Sequence, residues 1–344
     1  MKNNKKQKTA LVTGSAGFIG YHISKLLLDD GWRVIGIDCM SDYYDVSLKS
    51  HREKILLKSI SYISIHDHIE KPGILTSLFQ QENPEVVIHL AAQAGVRHSI
   101  ENPRTYLETN INGTFELLEA ARNHPPKHML MASTSSAYGA NKQMPYKEID
   151  NADHQMSFYA ATKKSTENMA HSYAHLFNIP ITMFRFFTVY GPLGRPDMAL
   201  FKFTKAIIED EPINVYNYGN MKRDFTYIDD LVMSIKLLID TIPDEKKSIV
   251  SSDLTHDSKS LVAPYRVVNI GNSNIIKLTE FIQAIEDALG KKAIKNMLPL
   301  QPGDVPETWA NVSLLKTLIN YAPDTNIKAG VRNFVNWYRG YYNI

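Results

Sequence analysis

Three glycines between a strand pattern and a helix pattern constrain this chain more than any other feature. Residues 9–12 form a short apolar run, Gly14, Gly17 and Gly20 follow it, and apolar side chains then recur at helical spacing. In such a strand–turn–helix unit the glycines let the backbone approach a pyrophosphate, and the helix N-terminus favours its negative charge. A glycine triplet also occurs in plain tight turns, so the flanking strand and helix carry the prediction of a dinucleotide-binding loop.

Asp38 supports the same prediction from the next strand. Residues 33–38 form a second apolar run after the helix, and this acid stands at its end. Two strands joined by a helix run parallel with a right-handed crossover, which brings Asp38 beside the glycine loop. A carboxylate there can accept hydrogen bonds from the adenosine ribose and repels a 2′-phosphate. The sequence therefore predicts NAD rather than NADP as the cofactor.

Strand-like and helical stretches continue to alternate beyond this unit. Strand-like runs lie at 86–90, 129–132 and 181–185, and well-formed helical patterns lie at 105–122 and 159–177. This alternation predicts an α/β protein with a Rossmann-type doubly wound parallel sheet that has helices on both faces.

The character of the sequence changes after residue 190, where proline-marked loops become more frequent. We predict an NAD-binding Rossmann domain at residues 8–190 and a smaller, mainly substrate-binding α/β domain at residues 191–344. A late strand-then-helix pattern indicates that the chain returns to the first domain. The returning segments are expected at about residues 224–240 and 266–272.

The composition excludes several function classes. Among 344 residues, 38 Lys and Arg balance 36 Asp and Glu, and no apolar run approaches the ~18 residues of a membrane span. We therefore expect neither a nucleic-acid partner nor a membrane partner. The single cysteine, Cys39, and a lysine-rich start without a signal-peptide pattern favour a cytoplasmic protein. His66 and His68 lack further partners at metal-binding spacing, so no metal site is expected.

A tyrosine and a lysine four residues apart form the candidate catalytic pair. Tyr159 and Lys163 share one face of a predicted helix, where the ammonium would lower the pKa of the phenol from about 10 and make it a usable base. Such a pair usually lies on the protein surface. Here the dinucleotide loop and the hydroxyl cluster at residues 133–136 favour a catalytic role, because hydroxyls at the end of a strand can bind a substrate alcohol or carbonyl.

Eight motifs give the chain a family resemblance. They are TGSAGFIG from Thr13, HLAAQAGVRHS from His89, STSSAYG from Ser133, YAATK from Tyr159, RFFTVYGP from Arg185, RPDMA from Arg195, RDFTYIDD from Arg223 and QPGDVPET from Gln301. Together they resemble the extended short-chain dehydrogenase/reductase family of NAD-dependent epimerases and dehydratases, and more narrowly the UDP-glucuronate 4-epimerases. The resemblance runs from about residue 9 to the final helix, and RPDMA with RDFTYIDD is its narrowest part.

The resemblance implies a reaction and a set of roles. In this family a tightly held NAD oxidises C4 of a UDP-sugar, the 4-keto sugar turns over, and it is reduced on its other face. Tyr159 would take and return the 4-hydroxyl proton, Lys163 would hold the nicotinamide ribose, and Thr134 matches the third catalytic hydroxyl. The residues that match the family's cofactor site are Gly14, Gly17, Phe18, Ile19, Gly20, Asp38, Asp67, Leu90, Ala91, Ala92, Asn110, Ser133, Tyr159 and Lys163.

The resemblance also implies the substrate contacts and the assembly. Arg195 and Arg223 match positions near the UDP diphosphate and ribose, where two guanidiniums suit a doubly charged group. The residues that match the sugar-binding end are Arg97, Ser135, Ser136, Phe187, Thr188 and Asp304. A homodimer through the helices at 105–122 and 159–177 is implied in the same way.

Three other functions stay open. A UDP-glucose or UDP-N-acetylglucosamine 4-epimerase would differ in the sugar pocket, although neutral-sugar epimerases of the family usually carry Asn at the position of Thr188. UDP-glucuronate decarboxylases carry an acid beside the catalytic hydroxyl, whereas Ser135 and Ser136 follow Thr134 here. An NAD-binding regulator without activity is disfavoured by the intact pair of Tyr159 and Lys163.

Overall fold

The structure, a computed structural model, describes residues 7–244, 257–301 and 305–344. Its strands are β1 (Thr9–Thr13), β2 (Arg33–Asp38), β3 (Tyr62–His66), β4 (Val86–His89), β5 (His128–Thr134), β6 (Ile181–Phe186), β7 (Thr188–Tyr190), β8 (Ile213–Val215), β9 (Lys222–Tyr227), β10 (Tyr265–Ile270), β11 (Ile275–Lys277), β12 (Lys295–Met297) and β13 (Glu307–Thr308). Its α-helices are α1 (Phe18–Asp29), α2 (Val46–Leu56), α3 (Ile74–Glu82), α4 (His98–Glu101), α5 (Pro103–Tyr106), α6 (Gly113–Asn123), α7 (Phe158–Phe177), α8 (Ala199–Ile208), α9 (Ile228–Leu238), α10 (Leu278–Leu289), α11 (Ser313–Ile319) and α12 (Ile327–Tyr342).

The main sheet has seven strands in the order β10–β6–β5–β4–β1–β2–β3, and every neighbouring pair is parallel. The strand order reverses between β1 and β4. At such a reversal the connections leave in opposite directions and open a crevice at the carboxyl ends of the strands. The predicted Rossmann-type doubly wound sheet is confirmed.

Alternating side chains of β1 explain why helices cover both faces of this sheet. Leu11 packs in a core cluster with apolar residues of α3, α6 and α7. Ala10 and Val12 point the other way, into a cluster that includes residues of α1 and α9. Because successive strand residues face opposite sides, an unbroken apolar run is what a strand covered on both faces requires.

Two elements differ from the sequence prediction. Strand β3 was not expected, because after Tyr62 its side chains are only partly buried at the edge of the sheet and its apolar pattern is weak. The single helix expected at 105–122 consists of α5, a π-helical segment at Leu107–Asn112 and α6. A π-helical turn is wider than an α-helical one and is often found at functional sites.

The later part of the chain builds a second layer and also contributes to the first. Strands β7, β9, β11 and β13 form a small mixed sheet, and β8 pairs with β12. Strand β10 extends the main sheet beside β6, and α9 packs against α1. The boundaries at residues 8–190 and 191–344 stay a prediction. None of the helices in the described residues has the length and apolar character needed to cross a bilayer.

Candidate active site

A cleft of about 530 Å³ opens at the carboxyl ends of the central strands. The predicted residues that line it are Gly14, Gly17, Phe18, Ile19, Gly20, Asp38, Asp67, Leu90, Ala91, Ala92, Ser133, Thr134, Tyr159, Lys163, Phe187 and Arg195. The structure therefore places the glycine loop, the candidate catalytic residues and one of the two arginines around a single cavity.

The glycine loop is packed too tightly for side chains. Gly14 has φ +70°, and a Cβ there would lie 2.8 Å from the amide nitrogen of Ala91. A Cβ on Gly20 would collide with the backbone carbonyl of Gly14. The amide of Gly17 donates to that same carbonyl at 3.0 Å, which closes the turn. The loop therefore brings bare backbone and the start of α1 to the cleft, as a pyrophosphate site requires.

Asp38 is held in place at the end of β2. Its Oδ2 accepts from the amide of Ala16 at 3.1 Å and its Oδ1 from the amide of Met40 at 2.8 Å. The ammonium of Lys49, on α2, lies 3.6 Å from Oδ1 and donates to the Ser41 hydroxyl at 3.0 Å. The carboxylate therefore links the glycine loop to the segment after β2 and faces the cavity that both line.

The start of α7 positions the candidate catalytic pair. The Ser157 hydroxyl accepts from the amide of Ala160 at 3.1 Å and caps the helix, so Tyr159 and Lys163 lie on its first two turns. The Thr134 hydroxyl, at the end of β5, hydrogen-bonds to Tyr159. Three of the predicted reacting side chains thus converge from a strand end and a helix N-terminus.

The electrostatics of Tyr159 differ from the sequence expectation. Burial raises the pKa of the Tyr159 phenol, and the opposing influences are the hydrogen bond from Thr134 and the positive charge of Arg195. Burial also lowers the pKa of Lys163 to about 8, against the nearby negative charge of Glu167. In the protein alone, the charge that favours the phenolate therefore comes from Arg195 rather than from Lys163.

A buried ion pair between Glu167 and Arg185 lies next to the candidate catalytic residues. The carboxylate of Glu167 accepts from Arg185 Nε at 2.9 Å and Nη2 at 2.8 Å, and from the Ser133 hydroxyl at 2.6 Å. Burial alone would raise the pKa of Glu167, but the Arg185 contacts outweigh it and lower the pKa to about 2. Ser133 is therefore oriented by an ionised carboxylate that stands one helical turn after Lys163.

Arg195 is paired within its own segment. Its Nε donates to Asp197 Oδ1 at 2.9 Å and its Nη2 to Oδ2 at 2.6 Å. The Tyr43 hydroxyl lies 3.5 Å from Oδ2, and the Tyr43 ring centre lies 5.8 Å from the guanidinium. Two chain segments, one with Tyr43 and one with Asp197, thus fix the orientation of this arginine.

Several predicted residues lie outside the lining of the cleft. They are Arg97, Asn110, Ser135, Ser136, Thr188 and Arg223. Ser135 and Ser136 begin the 3₁₀ turn that follows β5, and the Thr134 hydroxyl accepts from the Ser136 amide at 3.2 Å. Arg223 Nη1 donates to the carbonyls of Lys222 and Pro306, each at 2.9 Å. Asp304 lies outside the described residues.

Three of these residues contact other parts of the chain. Asn110, in the π-helical segment, accepts from the Gln93 amide at 2.8 Å and donates to Thr162 at 3.0 Å, so it supports a lining loop from beneath. Arg97 lies with its guanidinium 4.7 Å from the ring centre of Tyr216. Thr188 is held in β7 opposite Phe225 of β9.

Comparison of the sequence with known protein families identifies one family. The family described as GDP-mannose 4,6 dehydratase matches residues 11–334. The chain belongs to this family. The predicted resemblance to NAD-dependent epimerases and dehydratases is thereby confirmed.

Individual proteins also match nearly the whole chain. Protein CapI of Staphylococcus aureus is 53% identical over 332 residues, 96% of this chain and 98% of that protein. A probable UDP-glucuronate 4-epimerase of Rhizobium meliloti is 51% identical over 328 residues, 95% of this chain and 96% of that protein. The solved structure of a Bacillus cereus UDP-glucuronic acid 4-epimerase, in complex with UDP-glucuronic acid and NAD, is 33% identical with a TM-score of 0.85 and covers 97% of this chain and 100% of that chain.

The sequence analysis did not predict several residues of this cleft. Tyr43 and Lys49 line the cleft, and Asp197 both lines it and binds Arg195. The available signal was the Asp-Tyr-Tyr-Asp segment at 42–45, placed directly after the strand that ends in Asp38. Glu167 had a weaker signal, since an acid one turn after Lys163 also fits an exposed helical ion pair.

Proposed function

We propose that the protein is an NAD-dependent 4-epimerase that interconverts UDP-glucuronate and UDP-galacturonate. The observation that carries the proposal is the convergence of Thr134, Tyr159 and Lys163 beside a glycine loop in one cleft. The relative in Rhizobium meliloti and the solved enzyme of Bacillus cereus support the substrate, since the first is named a probable UDP-glucuronate 4-epimerase and the second holds UDP-glucuronic acid and NAD.

The residues present fit NAD. The glycine loop leaves only backbone at the pyrophosphate position, because a Cβ on Gly14 or Gly20 would collide with neighbouring backbone atoms. Asp38 presents a carboxylate at the end of β2, where the ribose hydroxyls of a dinucleotide lie in this fold. When bound, NAD supplies the acceptor and the donor of the C4 hydride.

The side chains of this chain supply the acid–base chemistry. Tyr159 accepts the proton of the C4 hydroxyl during oxidation and returns a proton during reduction, which is general base and then general acid catalysis. Thr134 and Arg195 favour its phenolate, and Lys163 adds a positive charge at the cofactor ribose. Lys163 is buried and Tyr159 is partly buried, which reduces screening by water and strengthens each of these interactions.

The residues assigned to the sugar suit a uronate, whose carboxylate must be kept during the reaction. A 4-keto uronate is a β-keto acid, so any group that promotes loss of carbon dioxide would divert the reaction. On the family resemblance we assign the carboxylate to the hydroxyls of Ser135, Ser136 and Thr188, with Arg97, Phe187 and Asp304 as further sugar-binding residues. Among those that the structure describes, Phe187 lines the cleft, whereas Ser135, Ser136, Thr188 and Arg97 lie outside its lining. Arg195 and Arg223 are assigned to the diphosphate, for which guanidiniums provide paired donors.

The decisive experiment incubates the purified protein with UDP-glucuronate and no added NAD, and separates the products by ion-exchange chromatography. Formation of UDP-galacturonate is expected, and it would also establish that NAD is retained. Formation of a UDP-pentose and carbon dioxide would identify a decarboxylase instead. Turnover of UDP-glucose or UDP-N-acetylglucosamine alone would identify a neutral-sugar epimerase, and no turnover of any UDP-sugar with NAD added would support a regulator.

We further propose a cytoplasmic homodimer. Large apolar side chains are exposed along the helices predicted to pair, among them Leu107, Phe115 and Phe158, with exposed fractions of 44%, 45% and 41%. Exposed apolar side chains on helices that are expected to pair support a subunit interface at these helices. Sedimentation at several concentrations tests the dimer, with Phe115→Glu expected to yield monomers. The free thiol of Cys39 fits a reducing compartment.

A further inference from the structure

Arg52 is a buried arginine that lies between the two halves of the site. It is on α2, its side chain is 0% exposed, and it does not line the cleft. Its Nη1 donates to the carbonyl of Ala16, inside the glycine loop, at 3.0 Å. Its Nε and Nη2 donate to the carbonyl of Leu193 at 3.2 Å and 2.7 Å, and Nη2 also reaches the carbonyl of Gly194 at 3.3 Å. Leu193 lies 141 positions after Arg52 in the sequence, so this one side chain joins two distant segments of the chain.

The atoms that Arg52 binds adjoin functional groups on both sides. The amide of Ala16 donates to Asp38, so the peptide groups on either side of Ala16 are fixed by the ribose-binding acid and by Arg52. Leu193 and Gly194 directly precede Arg195, the residue assigned to the diphosphate. A shift of either segment would therefore be transmitted through the guanidinium to the other.

The backbone at Leu193 needs such an anchor. The φ angle of Leu193 is +58°, a left-handed backbone conformation that residues other than glycine and asparagine rarely adopt. Two donors of Arg52 bind the Leu193 carbonyl and hold this conformation.

The fourth acceptor of Arg52 is the hydroxyl of Tyr44, at 2.9 Å. Tyr44 lies in the segment that also carries Tyr43, which contacts Asp197. The guanidinium fork is satisfied by neutral oxygens from three separate segments.

We propose that Arg52 is a positioning residue that couples occupation of the NAD loop to the orientation of Arg195, and hence couples cofactor binding to UDP-sugar binding. This inference deepens the proposed function and rests on it. Because the coupling free energy between two sites is reciprocal, UDP should tighten the binding of NAD by the same factor by which NAD tightens the binding of UDP. The planar fork, and not the positive charge alone, carries the effect, since Arg52 binds the Ala16 carbonyl through Nη1 and the Leu193 carbonyl through Nε and Nη2, and a lysine ammonium lacks this fork.

The test measures the rate of NAD release from the holoenzyme with and without saturating UDP, by trapping released NAD with a coupled dehydrogenase. In the wild-type protein UDP is expected to slow release about fivefold or more. In Arg52→Lys and Arg52→Met this ratio should fall towards one, and the KM for UDP-glucuronate should rise more than kcat falls. Saturation by UDP is verified for each variant, and Arg52→Lys keeps the test available if Arg52→Met does not fold.

The matched control is Arg266→Lys. Arg266, in β10, is also buried, and it donates two hydrogen bonds of 3.0 Å to Asp257, which belongs to neither of the segments that Arg52 joins. Its variant should lose stability but keep the UDP-dependent ratio. A ratio of one in the wild-type protein, or an unchanged ratio in both Arg52 variants, would overturn the inference even if UDP-glucuronate is turned over. Absence of turnover by the wild-type protein would instead overturn the proposed function.

Discussion

Glu167 stands one helical turn after Lys163 in α7, and its negative charge raises the pKa of that lysine against the effect of burial. The same carboxylate is held by Arg185 and accepts from Ser133. The two functions of Glu167 are therefore linked: it keeps the lysine charged and orients a hydroxyl at the cofactor side of the cleft. A charge that is buried and fixed in this way acts strongly because little solvent screens it.

Replacement of Glu167 should move the basic limb of the pH–rate profile. Under the proposed function the Lys163 ammonium, with a pKa of about 8, must be charged to hold the cofactor ribose, so activity should fall as the pH rises above that value. Glu167→Gln removes the charge that raises the lysine pKa, so the fall should begin at a pH lower by roughly one unit. The measurement is kcat as a function of pH with UDP-glucuronate as the substrate.

The same change also leaves Arg185 buried without a counter-ion, which costs about 3–5 kcal/mol of unfolding free energy. The double variant Glu167→Gln, Arg185→Met removes that unpaired charge and should recover much of the stability in urea denaturation. It should not restore the position of the basic limb. If the double variant regained the wild-type profile, the charge of Glu167 would not act on Lys163.

Replacement of Tyr159 should separate chemistry from binding. Tyr159→Phe keeps the ring in α7 and removes only the proton acceptor, so turnover should fall by about 10²–10⁴-fold while bound NAD and the melting temperature stay close to those of the wild type. Turnover of UDP-glucuronate, NAD absorbance of the purified protein and thermal unfolding report these three properties. Near-normal turnover in this variant would contradict the assigned role.

Two variants of Arg195 should distinguish its geometry from its charge. Arg195→Lys keeps a cation but loses the paired donors, so the KM for UDP-glucuronate should rise by about 10–100-fold, equivalent to about 1.4–2.7 kcal/mol, with a smaller change in kcat. Arg195→Ala also removes the positive charge that opposes the raised pKa of Tyr159, so its kcat should fall below that of Arg195→Lys. Equal kcat values for the two variants would show that this charge does not reach the phenol.

Much of the main sheet could be predicted from the sequence, because a strand covered on both faces needs an unbroken apolar run, as in β1 and β2. The edge strand β3 lacked that signal. The packing of helix α2 was harder to predict, because the sequence of Val46–Leu56 has the pattern of a polar surface helix. In the structure, however, Lys49 and Arg52 are buried. Their acceptors are backbone oxygens and a carboxylate from other segments, which no local pattern can reveal.

The glycine loop allows a test of the cofactor site with a closely matched control. A Cβ on Gly20 would lie 2.8 Å from the carbonyl carbon of Gly14 and 2.9 Å from Cα of Ser15, so Gly20→Ala must displace the loop from α1. We expect the purified variant to lose most of its bound NAD. Gly340→Ala, in α12, adds the same methyl group where no heavy atom lies within 4 Å, and it should keep NAD and gain up to about 1 kcal/mol of stability. Full NAD occupancy in Gly20→Ala, measured by absorbance after denaturation, would show that the loop has more freedom than its packing implies.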